Sequence, residues 1–146
     1  MRAMADFQTI QDDFAFLDDW EERYRYLIDL GRDLEPLPDE ARDDAHKVQG
    51  CVSQVWLLTE KDGGEDPVLT FRGDSDAHIV RGLVAVMIAL FSGKPASEIG
   101  SIDAEDAMRS LGLVEHLTPQ RANGLRSMVR RIKAEADAAR SEAVAG

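Results

Sequence analysis

The sequence contains a single cysteine, Cys51, among its 146 residues. One thiol cannot form an internal disulfide, and it cannot alone supply the several thiolates that a zinc or iron-sulfur site requires. The histidines His46, His78 and His116 stand too far apart in sequence for a metal motif such as HExxH. A preformed metal site therefore has no support, and the cysteine usage is typical of a reducing cytoplasm.

Long apolar runs and nucleotide-binding loops are also missing. The longest apolar stretch, from Ile79 to Phe91, is interrupted by Arg81 and falls short of the roughly 18 to 20 residues that a membrane span needs. Residues 1–6 carry no apolar signal core, and no glycine-rich phosphate loop occurs. We expect a cytoplasmic protein that does not associate with membranes.

Positive charge is scarce, since 17 Lys and Arg stand against 28 Asp and Glu and give a net charge of −11. Such a surface repels the phosphates of nucleic acid, which we do not expect as a partner. The first 44 residues hold 14 of the acidic side chains against 5 basic ones. This acidic block is typical of a solvated helix face, and a surface for a basic partner is the alternative.

Helical periodicity dominates the N-terminal part, about residues 9–32. Apolar side chains recur at steps of three and four residues, at Ile10, Phe14, Leu17, Tyr24, Leu27 and Ile28. Asp18 or Asp19 is a candidate N-cap inside this stretch, which predicts a short helix followed by a longer one closed by Gly31. Pro36 and Pro38 then predict an extended linking segment.

The apolar period shortens toward two between about residues 45 and 73, which predicts a sheet. Three strands are expected, around Val48, at Val55 to Leu58 and at Val68 to Phe71. A cluster of glycine, aspartate and proline over residues 61–67 separates the last two strands. Strands that follow one another with such short connections predict an antiparallel meander.

Helical signals return over about residues 75–141. Asp74 or Ser75 is the expected N-cap of a core helix, and Thr118, followed by proline, is the expected N-cap of the last helix. The helical period continues across Gly124, at a cost of about 1 kcal/mol for an internal glycine. Helices that bracket a small three-stranded antiparallel sheet predict an α+β fold in one domain, residues 1–146.

Cys51 follows a glycine at the end of the first expected strand, where a turn would present its side chain. A free cysteine can be a small buried hydrophobe or a reactive thiol, and a position in a connection favours the second. A reactive thiolate needs positive charge nearby, for which His46, Lys47 and Arg121 are candidates. Without a base or metal constellation, the thiol suits thiol exchange better than hydrolysis.

Several separated blocks carry a resemblance to a known family over most of the chain, in this order: Val48-Gln49-Gly50-Cys51-Val52-Ser53-Gln54-Val55-Trp56-Leu57, Gly73-Asp74-Ser75-Asp76-Ala77, Ile79-Val80-Arg81-Gly82-Leu83, Leu111-Gly112-Leu113 and His116-Leu117-Thr118-Pro119-Gln120-Arg121. Their order and spacing are similar to those of SufE, the sulfur acceptor that works with the cysteine desulfurase SufS in iron-sulfur cluster assembly. The resemblance implies a SufE-like domain with a fold like that of the scaffold protein IscU.

The resemblance also implies a function. Sulfur from a persulfide on the desulfurase, made with pyridoxal phosphate that belongs to that partner, would pass to Cys51. The protein would stimulate the desulfurase and pass the sulfur to a scaffold complex that contains SufB, without being a stand-alone enzyme and without a cofactor or metal of its own. Arg121 and Asp74 match preserved positions of the family pattern and could support the Cys51 loop or contact the partner.

The sequence leaves two alternative functions open and argues against a third. The paralogue CsdE, which serves the desulfurase CsdA, has similar motifs. A regulatory module could stimulate a desulfurase without carrying sulfur. An iron-sulfur scaffold of the IscU kind would need more thiolates than the one present.

Overall fold

The computed structural model describes residues 6–51 and 53–145. Val52 of the first family block and residues 1–5, expected to lack a signal core, lie outside the described residues. The helices are α1 (Phe7–Phe16), α2 (Trp20–Arg32), α3 (His78–Phe91), α4 (Ala96–Ser101), α5 (Ala104–Ser110), α6 (Leu113–His116) and α7 (Pro119–Ala145), with a short 3-10 helix at Asp39–Ala41. The strands are β1 (Val55–Lys61), β2 (Val68–Ser75) and β3 (Lys94–Pro95). No helix among the described residues is long and apolar enough to cross a bilayer.

Helix α2 begins as the sequence predicts, whereas α1 begins at Phe7, slightly before the predicted start. The carboxylate of Asp19 accepts a hydrogen bond from the backbone N–H of Glu22 at 2.8 Å and caps α2. The prediction that Gly31 closes α2 is wrong, because the helix continues to Arg32. Gly31 instead faces α3, where an added Cβ would lie 2.8 Å from the backbone nitrogen of Gly82. These two glycines let the backbones of α2 and α3 approach closely.

The α+β fold with a three-stranded antiparallel sheet is confirmed, although one strand differs from the prediction. Strand β1 pairs with β2 along its whole length, from Val55 opposite Ser75 to Lys61 opposite Leu69. The expected strand around Val48 is reduced to one isolated bridge between Lys47 and Trp56. The third strand is β3, which pairs with the other edge of β2.

Helix α3 is the central core helix, packed against α2 and the sheet. Most of its side chains are buried, as the apolar run predicts. Asp74 and Ser75 do not cap it, which corrects the prediction: residue 77 is the N-cap and makes no side-chain bond. Asp74 and Ser75 belong to β2 because the pairing with β1 extends to Val55.

Helix α7 begins at the predicted cap and crosses the molecule. Thr118 Oγ1 accepts a hydrogen bond from the backbone N–H of Arg121 at 3.3 Å, and the helix continues through Gly124 as predicted. Its inner face contributes buried residues to the core along most of its length: Ala122, Leu125, Met128, Ile132, Ala136 and Ala139. The face that carries Gly124 lies beside the segment of Cys51.

Candidate functional site

Cys51 lies in a turn whose shape depends on the glycine before it. Gly50 has a φ of 91°, a conformation that side chains of L-residues rarely adopt. A Cβ at this position would also lie 2.5 Å from Oγ of Ser127 in α7. Backbone conformation and close contact therefore both require glycine, and the turn lies directly against α7.

The thiol of Cys51 is half-buried against a second glycine. Its Sγ lies 3.6 Å from the carbonyl oxygen of Gly124, at a distance that fits a weak S–H hydrogen bond to this acceptor. A Cβ added at Gly124 would lie 3.6 Å from the same sulfur. The internal glycine that costs α7 some helix stability thus leaves space beside the thiol.

The chain before the Cys51 turn is held by Arg131 of α7. Its guanidinium donates hydrogen bonds to the carbonyl oxygens of Ala45 at 2.7 Å and Lys47 at 3.2 Å. Glu135, one turn further along α7, accepts from Nε of the same guanidinium at 2.9 Å and orients it. The alternate backbone groups of this segment face β1, where the His46 carbonyl oxygen accepts from the N–H of Leu57 and the Val48 N–H donates to Val55.

The chain after the turn is held at Gln54 by the end of β2. Asp76 accepts a hydrogen bond from the backbone N–H of Gln54 at 3.1 Å, and the Ser75 hydroxyl donates to the carbonyl oxygen of Gln54 at 2.6 Å. Both sides of the turn are therefore fixed by long-range contacts. The position of Cys51 depends on α7 and β2 together.

A cavity of about 230 Å³ opens beside the thiol. Buried apolar side chains form one part of its wall and polar residues form another; the lining is Cys51, Ser53, Val80, Leu83, Thr118, Gln120, Arg121, Gly124 and Met128. A cavity of this size accommodates a small group attached to Sγ. Its polar side faces solvent, which gives a route for such a group to arrive and leave.

Two opposing effects act on the ionisation of Cys51. Burial raises the pKa of the thiol, because the thiolate loses solvation, and the positive charge of Arg130 opposes this shift. Burial is the larger effect, so the pKa lies above its ordinary value. At neutral pH the sulfur in this conformation is mainly a protonated thiol.

The three candidate cations from the sequence occupy different places. Arg121 lines the cavity with Cys51. The side chain of His46 contacts Asp43, with 2.7 Å between Nδ1 and Oδ1, and is not part of the cavity wall. Lys47 is also outside the cavity lining and contributes its carbonyl oxygen to the contact with Arg131. Only Arg121 of the three is brought to the cavity.

Asp74 is an ion-pair centre at the end of β2. Its carboxylate is largely buried and lies 2.7 Å from Nη2 of Arg42 and 2.8 Å from Nε of Arg81. The Arg81 N–H is not aligned with the carboxylate, so this second contact is an ion pair without a hydrogen bond. Arg42 also lies over the Trp56 ring at 5.5 Å. The ion pair of Asp74 with Arg42 thus connects the segment after the 3-10 helix to the sheet.

Four residues of α7 contribute to the site although the sequence did not predict them as site residues: Gly124 by its space, Ser127 by its contact with Gly50, Arg130 by its charge and Arg131 by its hydrogen bonds. Positions 124, 127 and 131 follow the three- and four-residue spacing of one helix face. The sequence signal for this face is a glycine inside an otherwise strong helix, which indicates a close approach by another group.

Comparisons with known proteins show the family of this chain. A family model described as the SufE Fe-S metabolism associated domain matches residues 8–136. The chain belongs to the SufE family. An uncharacterised SufE-like protein of Rhizobium meliloti is 62% identical over 135 residues, 92% of this chain and 96% of that protein. Another SufE-like protein, of Rhizobium etli, is 59% identical over 134 residues, 91% of this chain and 90% of that protein.

A solved structure gives independent evidence for the fold. The solution structure of a hypothetical protein from Thermus thermophilus matches with a TM-score of 0.72 and 19% identity, over 91% of this chain and 94% of that one.

SufE membership gives the protein a sulfur-transfer role in iron-sulfur metabolism, in a family associated with cysteine desulfurases. Among residues 6–51 and 53–145, no three His, Cys, Asp or Glu side chains come together as a metal site.

Proposed function

We propose that Cys51 accepts the outer sulfur of a persulfide on a SufS-type cysteine desulfurase and carries it toward iron-sulfur cluster assembly. The observation that carries this proposal is the half-buried thiol on a glycine turn beside a cavity of about 230 Å³. The thiol is the single cysteine of the chain, so no second thiol competes to resolve the adduct as an internal disulfide.

The transfer step is a thiol exchange that requires no metal or redox partner. The Cys51 thiolate attacks the outer sulfur of the persulfide, written Cys–S–SH, on the desulfurase. A new S–S bond forms at Cys51 while the S–S bond on the desulfurase breaks, and the desulfurase cysteine leaves as a thiolate. The products are a Cys51 persulfide, which keeps the proton of the donor persulfide, and a free desulfurase thiolate.

The cavity supports the carriage of sulfur between partners. It has room for the outer sulfur, and the buried side chains Val80, Leu83 and Met128 in its wall limit contact with water. A sheltered sulfur is less exposed to oxidants than a free persulfide on the surface would be. The final step passes the sulfur to a scaffold complex of the SufB-containing kind. Pyridoxal phosphate belongs to the desulfurase, so this chain requires no cofactor of its own. The transfer takes place in the cytoplasm.

Mass spectrometry of the intact protein after incubation with a SufS-type desulfurase and cysteine tests the proposal. We expect a mass gain of one sulfur atom that a reductant removes, since thiols cleave persulfides by exchange. A reaction without cysteine is the control. Absence of the adduct under turnover conditions would contradict the proposal.

The Cys51→Ser variant separates sulfur carriage from regulation alone. It should bind the desulfurase as wild type does but should not stimulate its turnover, because the serine hydroxyl cannot accept the sulfur. Stimulation equal to wild type would support a regulatory module instead. Parallel assays with a CsdA-type desulfurase test the CsdE-like alternative, because the true partner should load Cys51 at the higher rate.

A further inference from the structure

Ser127 and Arg130 of α7 form a polar pair beneath the Cys51 turn. Ser127 is buried, and its hydroxyl oxygen accepts a hydrogen bond from Nη2 of Arg130 at 3.0 Å. The same oxygen would lie only 2.5 Å from a Cβ added at Gly50, the residue before Cys51 in the chain. The guanidinium is thus anchored to the residue that supports the turn.

The direction of the Arg130 side chain brings its charge toward the sulfur. Helical side chains extend toward the N-terminal end of their helix, and the bond to Ser127 shows that Arg130 does so here. Ser127 is one turn from Gly124, whose carbonyl oxygen contacts Sγ of Cys51. The charge therefore lies on the thiol-bearing side of α7, on the turn next to the sulfur.

The charge of Arg130 is also not neutralised by a neighbour. Its helix neighbours Arg126 and Arg131 form ion pairs with Glu105 and Glu135. Within the described part of the chain, no carboxylate lies within ion-pair distance of Arg130, whose hydrogen-bond partner is the neutral Ser127. No carboxylate therefore offsets the attraction of this cation for a negative charge that appears on a nearby sulfur.

We propose that Arg130, held in place by Ser127, is the cation that stabilises negative charge on the Cys51 sulfur during transfer, a role that rests on the proposed sulfur carriage by Cys51. Arg130 acts on the thiolate that attacks the desulfurase persulfide and on the thiolate that forms again when the sulfur is passed on. Ser127 is a positioning residue, because it acts through Arg130.

The electrostatics of the site agree with this assignment. Burial disfavours the Cys51 thiolate, and Arg130 is the charged group that lowers the pKa of the thiol against that effect. Both Arg121 and Arg130 are exposed, so solvent screens the charge of each. Arg130 differs from Arg121 in its hydrogen bond to Ser127 beneath the turn, and it is the group whose charge acts on the Cys51 thiol.

The rate at which iodoacetamide alkylates Cys51 across a range of pH tests the proposal in the full chain. We expect Arg130→Gln to slow alkylation about three-fold near neutral pH and to shift the midpoint of the pH profile upward, since fewer sulfurs are ionised. The rates should converge at alkaline pH. Arg130→Lys should restore part of the rate, and Ser127→Ala should fall between wild type and Arg130→Gln.

The matched control is Arg140→Gln, which removes the same charge from α7 about 15 Å further along the helix. Its pH profile should equal that of wild type. A variant that merely loosens the turn would react faster at every pH. The direction of the change in alkylation rate therefore distinguishes the loss of the positive charge from a loosened turn. An unchanged midpoint in Arg130→Gln would overturn the inference.

The two proposals fail in different ways. If wild-type Cys51 gains no sulfur from the desulfurase, the proposed carriage fails whatever the alkylation profile shows. If wild type is loaded and Arg130→Gln keeps the wild-type pH midpoint, the carriage stands and the role of Arg130 is refuted.

Discussion

The two turns at the ends of β1 make an instructive comparison. The Cys51 turn, described at residues 49–51 and 53–54, precedes the strand, and the Gly63 turn, residues 62–67, follows it. In the Gly63 turn, the carboxylate of Asp62 accepts from the backbone N–H groups of Gly64 at 3.1 Å and Val68 at 3.2 Å. An added Cβ at Gly63 would meet no atom within 4 Å. Local contacts suffice to shape the tip of this turn.

The Cys51 turn is shaped by distant parts of the chain. Gly124 and Ser127 of α7 lie against it, Arg131 holds the segment before it, and β2 holds its end at Gln54. Both turns contain glycine, but only Gly50 has a positive φ and a close neighbour. The Gly63 turn has a distant partner only at its end, where Asp66 accepts hydrogen bonds from the backbone N–H and the hydroxyl of Ser97. The difference teaches that long-range packing positions the segment at the thiol itself, whereas the tip of the hairpin connection is shaped by its own Asp62.

The largest expected effect comes from glycine replacement in the two turns. Gly50→Ala should lower the free energy of unfolding by about 2 to 3 kcal/mol, because alanine is strained at positive φ and its Cβ collides with Ser127. Gly63→Ala, the matched control, should change it by less than about 0.5 kcal/mol. Denaturant unfolding measures both. The double variant Gly50→Ala with Ser127→Ala should recover part of the loss, and no recovery would refute the steric component.

Replacement of Gly124 tests the contact between α7 and the thiol. Gly124→Leu should displace the Cys51 turn, destabilise the protein by about 1 to 3 kcal/mol and expose the sulfur to alkylation. Gly124→Ala should stabilise α7 by up to about 1 kcal/mol, because its Cβ would make ordinary contact with Sγ at 3.6 Å. Gly100→Ala in α4, where the added Cβ meets no atom, is the control. Slow alkylation in the leucine variant would contradict this packing.

Loss of one carboxylate in each turn should have similar effects on stability but different effects on the thiol. Asp76→Ala and Asp62→Ala each remove acceptors of backbone N–H groups and should cost about 1 kcal/mol. Only Asp76→Ala should accelerate alkylation of Cys51, since Asp76 holds the end of that turn. Equal alkylation rates in the two variants would mean that the bond to Gln54 does not restrain the turn.

The smallest expected effect is a pH dependence of stability. Because burial raises the pKa of Cys51 in the folded state, the unfolded chain loses the thiol proton at lower pH. This contribution to stability is fully present below the ordinary thiol pKa and is lost as the pH rises through the folded-state value. Its size should stay below about 1 kcal/mol, because the sulfur is half-exposed. Unfolding measurements at neutral and alkaline pH should show this loss of stability in wild type but not in Cys51→Ala.

Local patterns in the sequence predicted much of the fold. The cap at Asp19, the paired strands β1 and β2, the core helix α3 and the start of α7 at Thr118 all depend on residues close in sequence. Predictions that required knowledge of distant partners were less accurate. The first strand was wrong, since that segment makes a single bridge to β1, and its other edge contacts Arg131, 84 residues from Lys47. The capping role of Asp74 was wrong because pairing with β1 extends β2 past it.

The sequence by itself determined the identity of the thiol, because the chain has one cysteine and its flanking motif is similar to that of SufE. It also determined that a glycine turn carries this thiol and that the fold is α+β. Only the tertiary structure decided what surrounds the sulfur: the carbonyl of Gly124, the cavity with Arg121, and the charge of Arg130. The physical reason is distance along the chain, since these groups lie about 70 to 80 residues from Cys51 and only packing of α7 against the turn brings them together.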